Sequence, residues 1–136
     1  NKRKIVADEF FVGLFETALE PDEIITKVSF PVTKKCGYEK FKHPASGFAL
    51  TGVFVSKRGS EVRVAVTGAG ANGVFRVPEF EEALSRRFSP KSLEGIAVSP
   101  DGMSSDIHAS AEYRAHLVNV IARRATAKAV ANGQDD

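Results

Sequence analysis

Two runs, Ala49 to Val55 and Glu61 to Val66, flank Lys57-Arg58-Gly59-Ser60, and the clean alternation of the second restricts the fold of this chain more than any other feature. In the second run Val62, Val64 and Val66 fall on one side, with Arg63 and Ala65 on the other. A period of two matches the pleat of a strand and not the turn of a helix. Ala49 to Val55 and Glu61 to Val66 therefore predict a β-hairpin with one buried face.

More strands are expected upstream. Ile24 to Phe30 alternates, is rich in β-branched residues, follows the turn signal Pro21-Asp22-Glu23 and ends at Pro31, which predicts a strand. Gly37 opens another, Tyr38 to Lys42, which Pro44 stops. Lys4 to Phe11 reads as a short strand and a turn of helix.

From Pro78 the period changes. Proline suits a first helical turn, and Glu79, Glu81 and Glu82 complement the positive end of the helix. Phe80, Ala83, Leu84 and Phe88 make its apolar stripe, with Arg86 and Arg87 at the C-terminal end. A longer helix is expected after Ser110, its N-cap, with Glu112 in the first turn. Tyr113, Leu117, Val120, Ile121 and Ala125 recur on its core side, and Arg114, Arg123 and Lys128 on the opposite face. Strands followed by helices predict an α+β fold, an antiparallel β-sheet of three to four strands with helices packed on one face.

A chain of 136 residues suits a single domain, 1–136, large enough to bury a core. Its net charge of +2 and scattered basic residues give no footprint for nucleic acid. No apolar run approaches the roughly 20 residues of a membrane span, and no signal-peptide pattern opens the chain. Cys36 is the one cysteine, which excludes an internal disulfide or a cysteine-rich metal site and fits a reducing, cytoplasmic setting. Because the chain begins at Asn1, a fragment or processed product is expected. Disorder is expected only at Gly133-Gln134-Asp135-Asp136.

Several motifs suggest chemistry and then lose ground. Gly68-Ala69-Gly70-Ala71-Asn72-Gly73 matches the dinucleotide fingerprint G-x-G-x-x-G after a strand. That mechanism needs a helix N-terminus against the pyrophosphate, whereas Val74 to Val77 intervene here and Pro78 disfavours helix at Val77. A flexible strand-to-helix connection is the better reading. His108, Glu112 and His116 are spaced like ligands on one helical face, but a cap at Ser110 leaves His108 outside the helix, and no fourth ligand follows. Asp106, His108 and Ser110 carry the residue types of a hydrolytic triad without the geometry to line them up. Cys36 beside Lys35 reads as a small half-buried thiol.

Tyr38-Glu39-Lys40-Phe41-Lys42-His43-Pro44-Ala45-Ser46-Gly47-Phe48-Ala49 interleaves rings with cations and then bends at Pro44 and Gly47. Such a strand and tight loop can present a ring to cover a flat ligand and an ammonium to neutralise an electron-rich one. The competing reading puts Phe41 and Phe48 in the core and leaves the lysines solvated; on physical grounds alone it is the stronger.

At this stretch the sequence resembles a known family. Phe10-Phe11-Val12-Gly13 through Thr17-Ala18-Leu19-Glu20-Pro21-Asp22-Glu23-Ile24-Ile25, then Tyr38 to Val53, then Ser110-Ala111-Glu112-Tyr113-Arg114-Ala115-His116-Leu117 through Arg123-Arg124-Ala125 follow it in order over nearly the whole chain. The resemblance is to the C-terminal domain of the FAD-binding (medium) subunit of carbon monoxide dehydrogenase and the xanthine dehydrogenase family of molybdenum hydroxylases. It implies an α+β domain after FAD-binding domains of the same subunit, beside a molybdenum-cofactor large subunit and a [2Fe-2S] small subunit. In such enzymes iron–sulfur clusters pass electrons to the FAD, and this domain closes over the isoalloxazine ring. By the same resemblance Phe48 matches a position aimed at the flavin, and Lys40 matches a lysine near the ring; FAD would not be held by this chain alone. Gly47 departs from the family, whose members often carry aspartate there. A stand-alone dinucleotide-binding oxidoreductase domain and a non-catalytic interaction module are the alternatives.

Overall fold

The computed structural model describes residues 2–133, so the expected disorder at Gln134 to Asp136 lies outside the described residues. The predicted hairpin is present and longer than its apolar alternation. Strand β4 (Ala49–Arg58) pairs antiparallel with β5 (Glu61–Thr67) through a two-residue turn, with Arg58 opposite Glu61. Gly59 takes the positive φ of 60° that such a tight turn requires. Strand β3 (Lys35–Lys42) pairs with β4, and the short β6 (Phe75–Arg76) pairs with β5, giving a four-stranded antiparallel sheet of order β3-β4-β5-β6. A second sheet holds β1 (Phe11–Gly13) and β2 (Glu16–Thr17), preceded by the single-turn α1 (Ala7–Phe10).

Helices α2 (Pro78–Arg86) and α3 (Ala111–Asn132), with a 3₁₀ turn at Pro90–Leu93, pack on one face of the large sheet. Strand alternation explains the choice of face: Val53, Val55, Val62, Val64 and Val66 all point to the helices and are buried. Phe80, Leu84, Leu93, Val118 and Ile121 close the core from the other side. The sheet and helix backbones come unusually near each other where β3 crosses α3. A Cβ on Gly37 would stand 2.3 Å from the Ala125 carbonyl and 2.7 Å from the Ala129 nitrogen, so only glycine fits there. The small side chains of Ala122, Ala125 and Ala129, all fully buried, permit that approach.

Two expected elements differ. Ile24 to Phe30 forms no strand, because among the described residues no neighbouring strand is there to pair with it. Alternation supplies the propensity, but a strand needs a partner for its hydrogen bonds. The second correction is Arg114, expected on the solvated face of α3 and found buried beside Ala115 and Val118. Tyr113, expected on the apolar stripe, is exposed instead. The buried face of α3 is rotated by about one residue, because a positioned set of acceptors awaits the guanidinium.

The β6 edge is finished by a side chain. Beyond this two-residue strand the Val64 N–H donates to the Glu81 carboxylate at 2.9 Å, and the same carboxylate grips Arg76 with both oxygens, at 2.8 and 2.5 Å. Glu81 thereby joins α2 to the last two strands.

Candidate functional site

Lys40 and Phe48 lie eight residues apart and meet at one corner of the sheet. Lys40 stands on the face away from the helices, opposite Gly52 of β4, which in turn pairs with Thr67 of β5. Gly52 keeps that face flat: a Cβ there would come within 2.6 Å of the Tyr38 hydroxyl and 2.8 Å of Thr67 Oγ1. Beyond Lys42 the chain turns through His43 to Gly47, where φ reaches 71°, and returns as β4. The turn is tied by His43 N–H to the Phe48 carbonyl at 2.8 Å and by Gly47 N–H to the His43 carbonyl at 2.9 Å. The Lys40 ammonium donates to the Gly47 carbonyl at 3.0 Å, closing the loop from the strand side.

His43 fastens this loop to the rest of the molecule. Its Nδ1 accepts from the backbone N–H groups of Ala45 and Ser46, both at 3.3 Å. Its Nε2 shares a hydrogen bond with His108 Nδ1 at 3.1 Å, and the two rings meet edge to face.

The result is a braced loop with one ring held outside it. Phe48 is 77% exposed, which overturns its reading as a core residue. Phe41, at the margin of exposure, packs edge to face on Tyr113 of α3. The corner is a wall and not an enclosure. A surface groove of about 420 Å³ lies elsewhere, between Gly95 to Pro100 and the face of α3 carrying Glu112, His116 and Asn119.

The other sequence motifs resolve as structure. The glycine stretch leads through Gly73, at φ 100°, into strand β6, so no helix N-terminus faces it. Its Gly68 carbonyl accepts from Arg114, and Gly70 bridges to Met103. His108 precedes α3, whose cap is Ser110: its Oγ accepts from the Tyr113 N–H at 3.2 Å. Asp106 does not orient an imidazole. Its carboxylate receives the His108 and Ala109 backbone N–H groups and the Arg114 guanidinium, and these contacts, His108 N–H foremost, hold it below the usual aspartate range. Cys36 is half-buried, with its thiol 3.5 Å from the Thr33 carbonyl. Among the described residues no group of three or more histidine, cysteine or acidic side chains could hold a metal, and no helix is long and apolar enough to cross a membrane.

Sequence reasoning missed Arg114 as the centre of the fold beneath this corner. Its guanidinium donates to the Leu50 carbonyl at 2.8 Å, to the Gly68 carbonyl at 2.9 Å and to Asp106 at 2.8 Å. Leu50 lies two residues after Phe48, so this arginine anchors the start of the strand that presents the ring.

Comparison with known proteins first places the chain in a class. Over nearly its whole length it is similar to the medium subunits of a nicotine hydroxylase and of carbon monoxide dehydrogenases. It is 39% identical over 141 residues to the nicotine 6-hydroxylase medium subunit of Paenarthrobacter nicotinovorans, covering 95% of this chain and 49% of that protein. It is 25% identical over 136 residues to the carbon monoxide dehydrogenase medium chain of Hydrogenophaga pseudoflava, covering 92% and 47%, and 25% identical over 144 residues to that of Afipia carboxidovorans, covering 98% and 50%. The chain thus spans about half the length of these curated relatives. No family model matches it, and no solved structure does.

Proposed function

We propose that this chain is the C-terminal part of the FAD-carrying medium subunit of a cytoplasmic molybdenum hydroxylase, and that its Lys40–Phe48 corner forms one wall of the flavin site. The observation that carries this reading is the exposed Phe48 ring, held on a loop braced by Lys40 and the His43–His108 pair, in a chain related to medium subunits. The residues fit one side of an isoalloxazine. A flat face, an exposed aromatic ring and an ammonium suit a planar, electron-rich ring system. They do not fit the whole cofactor, since the glycine stretch enters a strand and offers no helix N-terminus to a pyrophosphate. The phosphates are therefore held by the other domains of the subunit.

A flavin held there would supply electron transfer between the iron–sulfur and molybdenum subunits of such an enzyme and an acceptor, with Phe48 and Lys40 against one side of its ring. The chain's own residues contribute position and charge. Phe48 covers the ring and excludes water from it, and Lys40 stabilises negative charge near it. Neither residue transfers a proton or forms a bond.

The test uses the full-length subunit. Stacking worth about 0.5–1.5 kcal/mol corresponds to as much as about tenfold in affinity, so Phe48→Ala should speed FAD loss by up to that factor. Because the ring is exposed in this chain, the melting temperature of the isolated chain should not move. Lys40→Ala should lower the flavin potential with little change in retention. Unaltered FAD release and potential in both variants would sink the assignment. The isolated chain, incubated with excess FAD and desalted, should emerge without flavin absorbance.

A further inference from the structure

The first third of the chain exposes what the remainder buries. Among the described residues the first buried hydrophobic side chain is Leu50. Upstream, Phe15 is 98% exposed, Ile24 82%, Phe30 84% and Val32 93%. Folded chains leave single apolar residues in water, but not a run of them on one short segment. From Ile24 to Val32 the chain forms neither helix nor strand, and among the described residues its backbone makes no hydrogen bond. Its composition is nonetheless that of a strand, with Ile24, Ile25, Thr26, Val28 and Val32 all β-branched.

This segment is not a loose tail, because both ends are pinned. At one end Glu23 is gripped by Arg3 through both carboxylate oxygens and receives the Glu20 N–H. At the other, the Thr33 hydroxyl donates to the Lys57 carbonyl at 2.7 Å. Between these anchors lies an alternating segment. In a strand, Ile24, Thr26, Val28 and Phe30 would share one face, and Ile25, Lys27 and Ser29 the other.

We infer that residues 24–30 are a strand of the other half of the subunit: they pair with an open sheet edge there, and Ile24, Val28 and Phe30 enter its apolar core. The boundary between the two halves then falls at Thr33 and Lys34, inside this chain, and the α+β body proper starts with β3. This rests on the reading of the chain as part of a subunit twice its length, since the curated relatives extend to about double what it covers. Strand addition supplies main-chain partners for the open N–H and C=O groups, and the alternate side chains supply register.

Hydrogen–deuterium exchange on the full-length subunit tests it. Amides from Ile25 to Phe30 should exchange about a hundredfold slower there, or slower still, than in the 136-residue chain alone. In the full-length subunit Val28→Asp and Phe30→Asp should lower the melting temperature and release that protection, while Lys27→Asp and Ser29→Asp should not. All four should leave the melting temperature of the isolated chain unchanged. Free exchange of these amides in the full-length subunit would overturn the inference. So would protection of them in the isolated chain, rising with concentration as it dimerises, because the occupant would then be a second copy. Flavin content is read separately: protection without bound FAD refutes the flavin assignment and leaves this one standing, and bound FAD with free exchange does the reverse.

Discussion

Replacing Arg114 with methionine isolates what one buried guanidinium contributes to the fold. The arginine is nearly inaccessible and donates to two backbone carbonyls, Leu50 and Gly68, that lie side by side at the open end of the β4–β5 hairpin. Hydrogen bonds to a charged donor contribute about 1.5–3 kcal/mol each, so losing the two to carbonyls costs about 3–6 kcal/mol, to which the third bond, to the half-exposed Asp106, adds little. One offset enters with the opposite sign: Arg114 Nε is buried without a partner, and removing such an orphan returns about 1–3 kcal/mol. Methionine keeps the aliphatic stem and fills most of the volume, so no large cavity term is added. The net expectation is a loss of about 2–3 kcal/mol, read from urea denaturation of the 136-residue chain. Arg123→Met is the control, because Arg123 pairs with Glu94 at the surface, where such pairs contribute about 0–1 kcal/mol. Equal losses in the two variants, or a loss under about 0.5 kcal/mol for Arg114→Met, would refute the reasoning.

Three further outcomes are expected. Leu117→Ala and Ile121→Ala should each cost about 2–5 kcal/mol in the same denaturation assay, since both side chains are buried on the core face of α3. Gly37→Ala should cost about 3 kcal/mol, the upper part of the overpacking range, because its Cβ meets backbone atoms that cannot rotate away; an unchanged midpoint would contradict the close crossing of β3 and α3. Glu39 bonds Lys128 at 2.7 Å, and that contact above all holds its carboxyl below the usual glutamate range. A lowered folded value means the pair stabilises above the ordinary carboxylate range and loses that contribution as pH falls through the folded value, so Glu39→Gln should flatten the fall in stability between about pH 5 and about pH 3.

The hairpin was legible because alternation from Val62 to Val66 has one geometric meaning when one face is covered, and Ser110 was legible because a cap acts within one turn. Arg114 was not, because its burial is decided by carbonyls 64 and 46 residues away in sequence, at Leu50 and Gly68. Hydrophobic periodicity classes an arginine as outward-facing by type and cannot register acceptors supplied by other elements. Ile24 to Phe30 failed in the opposite direction: local propensity was correctly strand-like, but pairing is a property of a partner. For Phe48 the order of difficulty reversed. Composition favoured core, and only the likeness to a family pointed outward, where the structure puts the ring. The Lys40 contact to Gly47 needed coordinates, since it depends on a loop closing at a positive φ.

Glu81 has a consequence for crowded solutions. A sheet grows by offering free amides to another chain, and the β5 amide left open beyond β6 is already occupied by this carboxylate. That leaves β3 as the other margin, where Lys35, Lys40 and Lys42 would confront the same lysines if two copies aligned their β3 strands. One margin carries an amide already taken by a side chain, and the other repels its own image when two copies align, so both margins of this sheet resist growth.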